Sequence, residues 1–293
     1  MLNILFIPEI ILSIGVMIII LFDLFFQKQK GLSFTLVQFL LLIAAYYSIN
    51  NKFSPSYSAY TLNEFTNIFK FILLVGSLMI FHYTYKHLKF LKILKIEYFT
   101  ISLLGLIGTM IMISANSLLM LYLGIELLSL SLYALIGFNK KSSLSSEAAI
   151  KYYVLGAMSS GILLFGISLI YGFTGSIGYD DIASQLINID INSVDYIAII
   201  FGIIFITASL CFKFGAAPFH MWVPDIYQGS LISTTILLST LPKIAVFIVF
   251  LKLYFIPFIL LREVWSDILI FVGMLSIVIG SLFALTQENI KRL

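Results

Sequence analysis

Nine long runs of apolar residues dominate the sequence, and each approaches or exceeds the length that a bilayer crossing needs. A transmembrane helix takes about 20 mostly apolar residues. The runs cover residues 4–26, 32–49, 65–85, 98–113, 118–138, 150–173, 194–229, 233–255 and 264–285. We therefore predict an all-α fold, a polytopic bundle of about nine transmembrane helices.

The composition excludes most other classes of protein. Of the 293 residues, 61% are hydrophobic and 11% are charged, whereas a soluble domain has about 45–50% apolar and about 25% charged residues. A soluble globule, a disordered chain and a nucleic-acid-binding arm are excluded. The single cysteine, Cys211, allows no intrachain disulfide. Without a glycine-rich nucleotide motif, a cysteine cluster or a histidine pair, we expect no nucleotide, flavin, haem, iron–sulfur cluster or metal on this chain.

Basic residues near the ends of the runs indicate the orientation. They follow the first, third, fifth and ninth runs, at Lys28, Lys30, Lys86, Lys89, Lys92, Lys95, Lys140, Lys141, Lys291 and Arg292. The opposite ends carry Lys52, Lys252 and Arg262 beside several aspartates. Because inner loops are enriched in lysine and arginine, odd-numbered helices should end on the inner side. The first run lacks a basic start and a cleavage site, so we interpret it as a retained helix.

The seventh run is too long for one straight crossing, and it contains Gly215, Pro218 and Pro224. Proline removes a backbone donor and clashes with the preceding turn. A break inside a bilayer persists only where protein or water satisfies the freed backbone groups, and discontinuous helices often line an ion or substrate path. A simple proline kink between packed helices explains the break alone equally well.

Three charged residues, Glu126, Lys213 and Lys243, are predicted near the bilayer midplane on three different helices. Each lies about 18–20 Å along its helix from the inner end, at about 1.5 Å per residue, and half of the hydrocarbon core is about 15 Å. Intramembrane charges are costly and usually functional. A static ion pair that only fixes helix packing is the alternative, although one carboxylate cannot neutralise two lysines.

Proton transfer suits these residue types. Desolvation disfavours the charged forms of lysine and glutamate, so that buried groups of both kinds can exchange protons near neutral pH. An ionised Glu126 would hold the proton on Lys213, and movement of that negative charge would release it. Arginine, which keeps its proton, could not act in this way.

Four other charged or titratable residues are weaker candidates. His220 follows the break and could belong to the proton route, but a packed histidine is an equally good interpretation. Lys151 opens the sixth run and could take up protons, although an interfacial lysine is the plainer interpretation. Glu64 and Lys70, near the outer end of the third run, are interpreted as snorkelling to water.

Several stretches resemble subunit N (NADH dehydrogenase subunit 2) of the proton-pumping NADH:quinone oxidoreductases, known as complex I. They are YLGIELLSLSLYAL (122–135), EAAIKYYVLGAMSSGILLFGISLIYGFTGS (147–176), FKFGAAPFHMWVPDIYQGS (212–230), LPKIAVF (241–247) and ALTQENIKRL (284–293). The resemblance runs from Leu118 to the end. It implies an antiporter-like subunit in which Glu126 is a modulating carboxylate, Lys213 is the central proton carrier, and Lys243 is a link along the polar axis of the membrane arm. It also implies three parts: spans 1–3 (1–97), a five-helix repeat (98–256), and the start of a second repeat (257–293).

The resemblance sets further expectations. The family usually has a proline and a small polar residue where this chain has Leu231 and Ile232, so we expect the eighth helix to begin differently. Family members are longer, so we expect a split gene or a fragment, with a separate chain or segment carrying the missing spans. NADH, FMN, iron–sulfur clusters and quinone would be bound elsewhere in the complex. The expected location is an energy-transducing inner membrane, with the mitochondrial inner membrane favoured and a bacterial plasma membrane as the alternative. The alternatives are an Mrp-type cation/proton antiporter subunit and a membrane-arm spacer that does not pump.

Overall fold

The structure is a computed structural model that describes residues 6–26, 29–50, 59–187, 189–190 and 193–292. These residues form eleven α-helices, and nine helical segments are long and apolar enough to cross a membrane. The helices are α1 (Ile7–Phe25), α2 (Lys30–Asn50), α3 (Glu64–Phe90), α4 (Glu97–Ser114), α5 (Leu118–Ile136), α6 (Ser143–Thr174), α7 (Tyr179–Leu186), α8 (Val194–Phe214), α9 (Trp222–Gly229), α10 (Ile232–Phe255) and α11 (Arg262–Leu285). The predicted all-α polytopic bundle is confirmed.

The helices differ from the apolar runs at several places, and at α6 a capping residue explains the difference. α6 begins at Ser143, well before the predicted start at residue 150, because the Ser142 side chain accepts a hydrogen bond from the Ser145 backbone. The short helix α7 lies between the sixth and seventh runs, where no crossing was predicted. The predicted start of the first helix at residue 4 and the basic residues Lys28 and Lys52 lie outside the described residues.

The loops gather at two opposite ends of the bundle. At one end, Lys30 donates to the backbone of Leu94 at 2.8 Å, so the loops after α1 and α3 meet. Basic residues from the loops after α3 and α5 line one cavity there. At the other end, backbone bridges join Tyr60 to Ala115 and Ser117 to Gly178. This alternation agrees with the predicted orientation, so we name the basic end inner and the bridged end outer.

α4 lies at the centre of the bundle and α11 at its edge. Close approach to α5 depends on Gly108, because a Cβ there would lie 2.9 Å from the carbonyl oxygen of Gly124. α4 also packs on α1, α3 and α10. In α11 only Trp265 is buried among the described residues. The three-part division at 97/98 and 256/257 stays a prediction.

Candidate functional site

The break in the seventh crossing separates α8 from α9. α8 ends at Phe214 because Gly215 adopts a left-handed conformation with φ of 79°, which favours glycine. The Gly215 backbone N–H donates to the carbonyls of Cys211 and Phe212 at 2.8 and 3.0 Å, closing the helix end. α9 begins only at Trp222. The predicted discontinuity is therefore present.

The two prolines of this region have different positions. Pro218 lies between α8 and α9, as predicted. Pro224 lies in the first turn of α9, where proline is tolerated because the first backbone N–H groups of a helix have no partner within it. The prediction that Pro224 forms part of the break is wrong for this reason.

Side chains from α9 and α10 satisfy the backbone carbonyls left free at the end of α8. The indole N–H of Trp222 donates to the carbonyl oxygen of Phe212 at 2.9 Å. The ammonium group of Lys243 donates to the carbonyl oxygens of Lys213, at 3.3 Å, and Phe214. It also lies over the ring of Trp222, 5.1 Å from the ring centre. Lys243 therefore binds the broken end of α8.

Lys213 is the penultimate residue of α8, and it is buried, with 7% of its surface exposed. Its ammonium group donates to the hydroxyl of Ser129 on α5 at 2.8 Å. Ser129 in turn donates to the carbonyl oxygen of Ile125 at 2.7 Å. The lysine is thus bound by a neutral acceptor, and sequence reasoning missed Ser129 because serine carries no charge.

Glu126 lies near the middle of α5, one turn before Ser129, and is partly buried. Among the described residues it forms no direct ion pair, so the alternative of a static pair with Lys243 is not observed. Its Oε1 atom is buried, with no hydrogen-bond partner in the described part of the chain. Glu126 nevertheless lies on the same face of α5 as Ser129, the residue that accepts the hydrogen bond from Lys213.

Tyr133 continues this polar row toward the inner end of α5. Glu126, Ser129 and Tyr133 are spaced by three and four residues and therefore share one face of the helix. The ring of Tyr133 packs edge-on against Tyr152 of α6, with ring centres 5.2 Å apart. Tyr133 also lines an inner-end cavity of about 710 Å³, whose wall includes Lys140. The helical spacing could have revealed this row.

Two of the weaker candidates, His220 and Lys151, lie outside the hydrogen bonds that hold Lys213. His220 lies between α8 and α9, and its ring packs against Phe283 of α11 with centres 5.7 Å apart. Lys151 is 45% exposed and forms ion pairs with Glu147, at 2.8 Å, and Asp225 of α9, at 3.1 Å. Whether either belongs to a proton route stays a prediction.

A second buried group of charges lies at the outer end, and the sequence did not predict it. The ammonium group of Lys70 lies 2.7 Å from Glu9 Oε1, and Lys70 is fully buried. The interpretation of Lys70 as snorkelling to water is therefore wrong, because a buried carboxylate on α1 pairs with it. Lys252, counted above as a basic residue at an outer end, is also buried.

In the described part of the chain, no three histidine, cysteine, aspartate or glutamate side chains are grouped as metal ligands would be. The groups at the α8 break are ammonium, carboxylate, hydroxyl and backbone carbonyl. These groups can hold and pass protons, but they carry no redox chemistry.

The chain is similar to known membrane subunits. The family model described as "NADH:quinone oxidoreductase/Mrp antiporter, TM" matches residues 115–293. NADH-quinone oxidoreductase subunit N of Ruthia magnifica subsp. Calyptogena magnifica is 40% identical over 291 residues, covering 98% of this chain and 60% of that protein. A chain of respiratory complex I from Thermus thermophilus, solved with bound aureothin, is 26% identical with a TM-score of 0.77, covering 98% and 60%. A chain of the Mrp complex from Dietzia sp. DQ12-45-1b shares the fold, at 18% identity and a TM-score of 0.67, covering 86% and 48%.

The similarity covers only part of the relatives' length. The chain spans about 60% of the length of two curated relatives that it matches. These relatives are bacterial, so they do not support the expected mitochondrial location. The family model covers more than half of the chain and includes Glu126, Lys213, His220 and Lys243. Because the family model matches more than half of its residues, the chain belongs to the NADH:quinone oxidoreductase/Mrp antiporter family of transmembrane proteins.

Proposed function

We propose that this chain is a membrane-arm subunit of a proton-translocating NADH:quinone oxidoreductase and contributes a proton half-channel. The observation that carries the proposal is the buried Lys213 at the end of a broken helix, bound to Ser129, with Glu126 one turn away on α5. The relatives' name, NADH-quinone oxidoreductase subunit N, supports the choice of complex. The membrane is then an energy-transducing bacterial membrane, in keeping with those relatives.

In this proposal Lys213 is the central proton carrier. Its ammonium form is stabilised when Glu126 is ionised and close, and destabilised when that negative charge is withdrawn. Ser129 accepts a hydrogen bond from the lysine and keeps it near α5. Lys243, bound to the carbonyls at the end of α8, is the next group that can hold a proton. The break matters because it leaves these carbonyls free to bind a lysine.

The energy for transport would come from electron transfer elsewhere in the complex. NADH, FMN, iron–sulfur clusters and quinone would be bound by other subunits, and this chain would supply only proton-holding groups. Its partners would be other membrane-arm subunits. A separate chain or further segment would provide the part of the relatives' length that this chain does not cover.

The first test is purification of a tagged form of this chain from its native membranes, with mass spectrometry of what copurifies. Subunits that bind NADH, FMN and iron–sulfur clusters are the expected partners. Copurification with only small membrane subunits would overturn the complex I assignment. It would favour an Mrp-type antiporter, the second member of the family's description.

The second test separates a pumping subunit from a spacer. Lys213→Ala in the assembled complex should lower the number of protons moved per electron in proteoliposomes, with electron transfer measured in parallel. Lys86→Ala, which removes an exposed lysine from α3, is the control and should leave the ratio unchanged. An unchanged ratio in an assembled Lys213→Ala complex would show a structural spacer instead.

A further inference from the structure

The buried charges at the outer end form a compact group that is separate from the α8 break. Glu9 lies in the first turn of α1, Lys70 lies on α3, and Tyr60 lies in the segment between α2 and α3. The Lys70 ammonium is 2.7 Å from Glu9 Oε1, and the Tyr60 hydroxyl donates to the same oxygen at 2.9 Å. The side chains of Lys70 and Glu9 are 0% and 5% exposed.

A second buried lysine lies next to this group, on α10. Lys252 of α10 donates to the hydroxyl of Thr61 at 2.9 Å and to the carbonyl oxygen of Ile113 at 3.0 Å. Buried charged side chains of α1, α3 and α10 therefore lie at the outer end of the bundle.

A purely structural ion pair explains this group poorly. Desolvation of two charges usually costs as much as their attraction returns, so a buried pair is weak support for stability. Here two buried lysines accompany one buried glutamate. Moreover, Glu9 Oε2 is buried and has no hydrogen-bond partner in the part of the chain that the structure describes. An oxygen in this position suits a carboxyl group that alternates between ionised and protonated forms.

Tyr60 is the member of the group whose protonation state does not change. It lies before α3 and outside the crossing segments, and burial together with the negative charge of Glu9 raises its pKa. Its hydroxyl therefore stays protonated across the physiological range and keeps donating to Glu9. The proton that can move is then the one shared by Lys70 and Glu9.

We infer that Glu9 and Lys70, with Tyr60 as a fixed donor, form a second proton-holding site at the outer end of this subunit. In the ion-paired form the proton is on Lys70. Transfer breaks one N–H bond and forms one O–H bond on Glu9, giving a neutral amine and a neutral acid. Release of that proton toward the outer side restores the carboxylate, and the amine then accepts the next proton.

The helix α10 connects this site to the α8 break. Lys243 and Lys252 are nine residues apart on α10, which corresponds to about 14 Å along the axis. A shift of α10 that changes the contacts of Lys243 would therefore also move Lys252 relative to Lys70. The inference rests on the proposed pumping function and adds to it a second proton-holding site at the outer end.

Lys70→Arg in the assembled complex tests the inference. Arginine keeps the positive charge and can pair with Glu9, but it does not release its proton. We expect an assembled complex whose proton-to-electron ratio falls as far as in Lys213→Ala. Thr84→Val is the matched control because Thr84 is a buried residue on the same helix and is not part of the outer group. Its ratio should equal that of the unmodified complex.

The outcomes separate this inference from the proposed function. A normal ratio in Lys70→Arg beside a lowered ratio in Lys213→Ala would overturn the outer site alone. Normal ratios in both would overturn the pumping function itself. If Lys70→Arg does not assemble, the neutral pair Glu9→Gln/Lys70→Met replaces it, with the same expected loss. Failure of both forms to assemble, while Thr84→Val assembles, would identify the pair as structural and overturn the inference.

Discussion

The ammonium group of Lys243 lies 3.3 Å from the backbone carbonyl oxygen of Lys213, and it also donates to the carbonyl of Phe214. These carbonyls form the negative end of the α8 dipole, where a cation is favoured. Lys243 thus satisfies the free carbonyls of the break and places a titratable group beside the buried Lys213. Stabilising the helix end and transferring a proton are two roles that different substitutions can separate.

Lys243→Arg should keep the first role and lose the second. Arginine can donate to the same carbonyls but does not release its proton, so we expect an assembled complex with a lowered proton-to-electron ratio. Lys243→Met should also lose stability, by about 1–3 kcal/mol, because the carbonyls lose their donor. Thermal unfolding of the purified complex and proton uptake by proteoliposomes are the measurements. Full pumping by the arginine form would mean that Lys243 acts only on the helix end.

The membrane-crossing helices were predictable from the sequence, but which helices pack against one another was not. Long apolar runs set the length of each helix directly. The rotation of a helix about its own axis, which decides which side chains face its neighbours, depends on packing between distant segments. A local sequence pattern does not contain that information. Lys70 illustrates this difference, since its position near a helix end suggested contact with water. Its partner Glu9 lies on α1, and only the packed bundle brings the two together.

The break and its charges were predictable for a similar reason. Gly215 and Pro218 interrupt helices by local backbone chemistry, which a sequence displays. The identity of the group that binds Lys213 depends on how α8 packs against α5. The structure gives that position to the hydroxyl of Ser129, whereas Glu126 forms no direct ion pair among the described residues.

Ser129→Ala should weaken the hold on Lys213 without removing any charge. The hydrogen bond from an ammonium group is worth about 1.5–3 kcal/mol, so its loss should leave Lys213 free to shift and should slow proton uptake. Ser131→Ala is the matched control, because Ser131 is on the same helix and donates to its own backbone, at Leu127, 2.8 Å away. Equal rates of proton uptake in both variants would contradict a role for Ser129.

Gly215→Ala should disturb the end of α8. The left-handed backbone there costs about 1–2 kcal/mol for an alanine. The added Cβ would also lie 2.9 Å from Val223 and 3.0 Å from the Lys243 ammonium group. We expect a lower unfolding temperature and a lower proton-to-electron ratio. Gly273→Ala is the control, because a Cβ on that α11 glycine meets no atom within 4 Å; identical behaviour of the two variants would exclude the steric explanation.

Lys151 offers the clearest test of whether a lysine near the inner end takes up protons. Its ion pairs with Glu147 and Asp225 are partly exposed, and Asp225 is also bound by Arg292 at 2.9 Å. Exposed pairs of this kind contribute little to stability and are weakened by salt. We therefore expect Lys151→Arg, which preserves the charge, to pump normally.

The comparison with Lys151→Met completes this test. The methionine form removes both ion pairs of residue 151 but leaves the contact between Asp225 and Arg292. If Lys151 acts only through its charge, initial rates of proton uptake should fall in the methionine form and stay normal in the arginine form. The difference should shrink at high salt, because salt screens partly exposed charges. A loss of pumping in the arginine form would instead place Lys151 on the proton route, since arginine preserves the charge but cannot release the proton.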